Sequence, residues 1–101
     1  MTFRVIHDSE AVLEFREAVA WYEGQVDGLG VRFTLEVDAV IAAIVSQPLR
    51  FCKIGRKVRK ARIHDWPYSI YFVVNEPRSE IKVVAIWHGA RNPDELRRRL
   101  M

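Results

Sequence analysis

The hydrophobic period of the chain changes at Pro48, and this change limits the fold more than any other feature. Before it, apolar residues recur every three or four positions, with Ala11, Phe15, Ala18 and Tyr22 joined by Val12 and Val19, then Leu29, Phe33, Val37, Val40 and Ile44. After it, they cluster in short β-branched and aromatic runs at Val58–His64, Ser69–Asn75 and Ile81–His88. The first half therefore predicts two amphipathic helices. One starts after the capping pair Asp8-Ser9 and stops near Gly24; the other follows a turn bracketed by Gly28 and Gly30 and ends before Pro48. Two helices on so short a loop form an antiparallel hairpin, each with one apolar stripe to cover.

Residues 2–7 are β-prone and predict an N-terminal strand. The later runs are separated by Trp66-Pro67 and by residues 75–80, connections short enough to make neighbouring strands antiparallel. Ile70–Val74 and Val83–Trp87 are almost wholly apolar, as in strands covered on both faces. Phe51 and Ile54 suggest a short apolar edge piece. From Pro93, a turn with Asp94 and Glu95 followed by Arg97, Arg98 and Arg99 suits a short C-terminal helix whose charges complement its dipole. The expected class is α+β: an N-terminal strand, an antiparallel helical hairpin packed on a small, mostly antiparallel twisted β-sheet, and a short C-terminal helix.

At 101 residues the chain predicts one domain, 1–101. With half its residues hydrophobic, five Gly and four Pro, it is neither collagen-like nor intrinsically disordered. No apolar run approaches the roughly 20 residues of a membrane span, and the N-terminus lacks the layout of a signal peptide, so a cytoplasmic protein without membrane association is expected. Cys52, the lone cysteine, cannot form an internal disulfide. Stability must come from packing, with a modest margin that a partner would raise.

Charge is unevenly distributed. Residues 1–38 hold three basic side chains (Arg4, Arg16, Arg32) against eight acidic ones, and residues 39–101 hold thirteen against five. Seven of the thirteen residues from Arg50 to Arg62 are Lys or Arg, and no acid occurs between Asp38 and Asp65. A strand carrying Arg59, Lys60 and Arg62 beside Ala61 and Ile63 cannot hide these charges in a core. They either decorate a solvated edge that resists aggregation, or bind nucleic-acid phosphates or an acidic protein segment.

The three histidines are scattered, and Glu10 is the only carboxylate three or four residues from one of them, so no metal site is expected; nor is there a phosphate-cradling glycine loop, a carboxylate pair or a serine elbow. No cofactor is expected. His88 and Arg91 project from the end of one strand into the same space, where they could transfer a proton and stabilise phosphate charge. In the simpler alternative His88 bonds the turn and Arg91 pairs with an acid. Trp21, Trp66 and Trp87 invite a base-stacking reading, Trp66 most of the three, but Trp87 and Trp21 suit core packing better and Trp66-Pro67-Tyr68 suits a corner.

Several short motifs occur together in order: Ala20-Trp21-Tyr22-Glu23, Gly28-Leu29-Gly30 with Phe33, Glu36 and Val37, then Pro48, Arg59, Trp66-Pro67-Tyr68 with Ile70 and Tyr71, and His88, Arg91, Pro93 and Arg99. This pattern resembles the RelE/ParE superfamily of type II toxins, nearest the ParE or plasmid-stabilisation branch. The resemblance implies a growth-inhibiting toxin silenced by a cognate antitoxin, whose disordered, often acidic segment folds on the toxin. It implies DNA gyrase as target, without a conventional active site, and a surface of Lys57, Arg59, Lys60, Arg62, Arg91, Arg98 and Arg99 for target or antitoxin. The alternative is a RelE-like ribosome-dependent mRNA endoribonuclease, with His88 as acid or base and Arg59 and Arg91 stabilising a phosphorane. The chain departs from the RNA-cutting pattern: Gly89 follows His88 where some relatives carry tyrosine, and no C-terminal tyrosine is present. A third possibility is a non-toxic nucleic-acid-binding module.

Overall fold

The computed structural model describes residues 2–100. The chain runs β1 (Arg4–His7), α1 (Ser9–Gln25), α2 (Leu29–Ser46), a 3₁₀ turn (Pro48–Arg50), β2 (Val58–Arg62), β3 (Tyr68–Asn75), β4 (Glu80–His88) and α3 (Pro93–Leu100). No helix among the described residues is long and apolar enough to cross a membrane. The strands form one sheet in the order β1-β4-β3-β2. β4 pairs antiparallel with β3 and β3 with β2, while β1 joins β4 in parallel with Arg4 opposite Glu80. The two nearly all-apolar strands are thus the central ones, as their composition predicts.

One face of the sheet carries the hairpin. Ala11, Ala18 and Tyr22 of α1 and Phe33, Val37 and Ile44 of α2 pack on Ala61, Ile63, Ile70, Phe72, Ile81, Val83 and Ile86. Phe33, Phe72, Ile70 and Ile81 have no exposed surface, and burying each contributes about 2 kcal/mol relative to leaving it in water. The helices approach closely at Gly30, where an added Cβ would lie 2.8 Å from the Val19 carbonyl oxygen. Gly28 adopts φ 86°, and the Glu23 carboxylate accepts from the N–H groups of Gly28 (2.8 Å) and Gly30 (2.9 Å), so α1 caps α2.

The other face carries α3. Leu96 and Leu100 cover Tyr71, Val84, Ala85 and Trp87. A bulge makes this division possible: Tyr71 pairs with Ala85 but Phe72 with Val83, leaving Val84 as the extra residue. The alternation of β4 slips by one there, which turns Trp87 towards α3 and Ile86 and His88 towards the hairpin. Asn92 caps α3 through its Oδ1, 2.8 Å from the Asp94 amide, and Pro93 takes the first helical position.

Some local expectations are corrected. Trp21 is not in the core: it is 60% exposed, because it sits on the flank of α1 beside Leu13 and Glu17, outside the Ala11–Ala18 stripe. β2 ends at Arg62 and not at His64, since Ile63 and Trp66 close a corner in which Asp65 takes φ 69°. Asp8 occupies the cap position of α1 without a side-chain cap bond, its carboxylate lying 3.7 Å from Lys82. The Phe51–Ile54 edge piece exists as an isolated bridge between Lys53 and Arg59, with Phe51 edge-on to Phe72.

Candidate functional site

β4 ends at His88 because Gly89 and Ala90 turn the chain: the Gly89 amide donates to Pro67 O (2.8 Å) and the Arg91 amide to His88 O (3.0 Å). The Ala90 amide donates to His88 Nδ1 at 2.9 Å. That bond requires an unprotonated Nδ1, so the imidazole keeps its hydrogen on Nε2 and its Nδ1 lone pair is already engaged. The ring stands edge-on to Tyr68, 5.0 Å between centroids. Burial pushes the Tyr68 hydroxyl up, with Tyr22, Glu17 and Glu14 adding to the shift, so this phenol stays protonated. Together with Trp21, Glu17 and Arg91, these side chains line a cleft of about 250 Å³.

Arg91 reaches the cleft but is occupied. It donates to Glu14 at 2.9 Å, lies 3.4 Å from Glu95, and stacks 3.7 Å from the centre of the Trp87 ring. Arg99 lies on the inward face of α3 with Leu96 and Leu100. It donates to both Glu14 oxygens, to Val84 O at 2.7 Å, and pairs with Glu10 at 3.3 Å. The Glu14 bond raises its already high pKa. Glu14 also accepts from the Ile86 amide at 3.0 Å, so one carboxylate closes the edge of β4 beyond the end of β1.

Arg59 lies elsewhere. It pairs with Phe72 whereas His88 pairs with Tyr68, which places them two strands apart and offset by four residues of β3, about 13 Å along the strand. Its guanidinium donates to Phe51 O (2.7 Å) and Leu49 O (3.2 Å), tying the 3₁₀ turn to the sheet. The structure therefore brings His88 and Arg91 together and leaves Arg59 apart. Of the proposed binding surface, Lys57, Lys60, Arg62 and Arg98 are exposed, whereas Arg59, Arg91 and Arg99 are held by carbonyls or carboxylates.

Sequence reasoning missed Glu14, whose position on the polar side of α1 looks like that of any solvated acid. Arg99 carried a signal: with Leu96 and Leu100 it shares the i, i+3, i+4 face of α3. The hairpin also presents apolar side chains to solvent, among them Leu13, Trp21, Val31 and Leu35, each 56–62% exposed. A separate, mostly apolar groove of about 310 Å³ lies between Ala11, Phe15, Val37 and Ile41.

The family model of the ParE toxin of type II toxin-antitoxin systems, parDE, matches residues 5–93. Among solved structures, the chain is similar to the chromosomal ParDE system of P. aeruginosa, at 14% identity and a TM-score of 0.71, covering 86% of this chain and 96% of that one. The isolated RelE toxin of E. coli superposes over the whole of both chains at 17% identity and a TM-score of 0.61. A chain of the intact E. coli RelBE toxin-antitoxin complex gives 17% identity and a TM-score of 0.62, covering 90% of this chain and all of that one. At these identities the structural likenesses show the fold. No curated protein sequence matches.

Proposed function

This chain belongs to the ParE toxin family of type II toxin-antitoxin systems, and from that premise we propose that it arrests growth by binding DNA gyrase and is silenced by a cognate antitoxin. The observation that carries a binding mode of action is the arrangement of the basic trio. Arg59 is tied to two backbone carbonyls on the far part of the sheet, and His88 Nδ1 is spent on a turn amide. A general base needs an imidazole lone pair, and with Nδ1 engaged the hydrogen-bearing Nε2 has only a proton to give; RNA cleavage further needs cations converging around one phosphate. A surface that acts by docking needs neither.

The exposed apolar residues of the hairpin support the antitoxin partner. Leu13 and Trp21 on α1 and Val31 and Leu35 on α2 would be covered by apolar anchors of a segment that folds as it binds, a mode that protects large surfaces at modest affinity per unit area. The neighbouring structures, described as a chromosomal ParDE TA system and an intact RelBE toxin-antitoxin complex, are consistent with such a partner.

Induced expression in bacteria, with and without the small open reading frame beside the gene, tests this function. The expected result is arrest relieved by the neighbour, with altered plasmid topology and intact messages. Early, codon-phased cleavage of messages with unchanged topology would transfer the function to an endoribonuclease.

A further inference from the structure

The hairpin and the sheet edge furthest from β1 differ in charge, and the antitoxin face leaves that edge without a role. Lys53, Arg56, Lys57, Lys60 and Arg62 are all exposed along β2 and the loop leading into it. Among the described residues none of these five lies within 4.0 Å of a carboxylate oxygen, although Arg4, Lys82, Arg91, Arg97 and Arg99 all do. Lys53, Arg56 and Lys57 line one open cleft of about 430 Å³ with Glu76 as its only acid. Strand alternation puts Lys60 and Arg62 on the α3 side of the same edge, Lys60 lying 5.9 Å from the centre of the Tyr71 ring.

Protection against edge-to-edge association does not account for this density. Charges blunt a strand edge where its backbone groups are left open. Here the first half of β2 is already covered by the preceding segment, through Ile54 N to Val58 O (2.8 Å) and Lys60 N to Cys52 O (3.1 Å). Five like charges gathered without counter-ions repel one another, a cost that a polyanion would remove.

The surroundings indicate which polyanion. Recognition of single strands relies on exposed rings on which bases stack. Around this edge Tyr71 and Trp87 are buried, and Phe51 and Trp66 are half-buried with their rings against Phe72 and against Tyr22 and Phe33. What remains is flexible point charge, suited to phosphates and indifferent to sequence. We propose that the β2 edge binds the phosphate backbone of duplex DNA, independently of base sequence. The choice of DNA over RNA rests on the gyrase function, since that target holds duplex DNA; the phosphate contacts do not.

The test uses the full-length chain and no gyrase, so it fails or succeeds separately from toxin action. Fluorescence anisotropy would follow a labelled 20-base-pair DNA duplex, the matching single strand, and an RNA duplex of the same length across a salt series. If Arg56, Lys57, Lys60 and Arg62 each meet a phosphate, log K should fall against log salt with a slope near −3.6, about a twelvefold loss per doubling of salt. The double variant K60Q/R62Q should reduce the slope by about 1.8, whereas R16Q/R32Q, which removes the same charge from the helices, should leave it unchanged. A slope flatter than about −1, equal slopes in the two variants, or tighter binding to the single strand or RNA duplex would each overturn the proposal. So would a K60Q/R62Q protein that keeps duplex binding and loses the antitoxin, which would assign the edge to an acidic protein segment.

Discussion

Glu14 answers four donors from three parts of the chain: the Ile86 amide, Arg91, and two nitrogens of Arg99. Its side chain is only 10% exposed and that of Arg99 17%, so replacement by Gln leaves a largely buried guanidinium with only the more exposed Glu10 as counter-charge. Glu14→Gln should cost about 2–3 kcal/mol in urea unfolding, against less than about 1 kcal/mol for Glu95→Gln at the exposed Arg91 pair. Equal losses would show that Glu14 is not the hub. A second charge sets an acid limit. The hydrogen bond from Arg4 holds the Glu80 carboxyl below its ordinary value, so the unfolded chain takes up a proton at higher pH than the folded one. The stabilisation is complete above the ordinary carboxylate range and disappears as pH falls through the lowered value. Glu80→Gln should lack that part of the acid limb in a pH series of unfolding midpoints, and superimposable limbs would contradict it. Neither role was legible beforehand. A polar position on an amphipathic helix reads the same whether it meets water or two arginines, and the partners of Glu14 lie 72 to 85 positions away.

Element boundaries were mostly legible because they obey local rules. The 3.6-residue period located both helices, Pro93 started α3, and the apolar runs located β3 and β4. Failures occurred where tertiary context chose between equal local options. Trp21 lies one step outside the buried stripe, and neither the Val84 bulge nor the parallel pairing of β1 leaves a mark in local periodicity. The hairpin junction shows how closely two helices depend on single residues. Gly30→Ala would ordinarily gain about 1 kcal/mol of helix propensity, but its Cβ meets the Val19 carbonyl at 2.8 Å. A net loss of about 1–3 kcal/mol is expected, because backbone cannot yield as a flexible side chain does. Glu23→Ala should cost about 1 kcal/mol through the lost bonds to Gly28 and Gly30. Urea unfolding of both variants checks these values, and an unchanged or stabilised Gly30→Ala protein would mean that the helices can part without cost.

Across the whole molecule, the sheet separates two kinds of surface. The hairpin presents apolar side chains and exposed acids such as Glu17, Asp27, Glu36 and Asp38, while the β2 edge presents cations. The imbalance between the two parts of the sequence foreshadowed this, but composition alone could not distinguish cations left facing solvent from those that brace the fold. Arg59, Arg91 and Arg99 belong to the second group, and Lys57, Lys60, Arg62 and Arg98 to the first. A toxin that acts by docking should therefore tolerate loss of His88. The direct test is supercoiling of relaxed plasmid by purified gyrase in the presence of the full-length chain and of its His88→Ala variant. Both should inhibit supercoiling, with midpoints within about fivefold of one another, since an imidazole bonded to one turn amide contributes about 1 kcal/mol or less. Supercoiling that continues unaffected at concentrations well above those that arrest growth, or inhibition abolished in a folded His88→Ala protein, would contradict it.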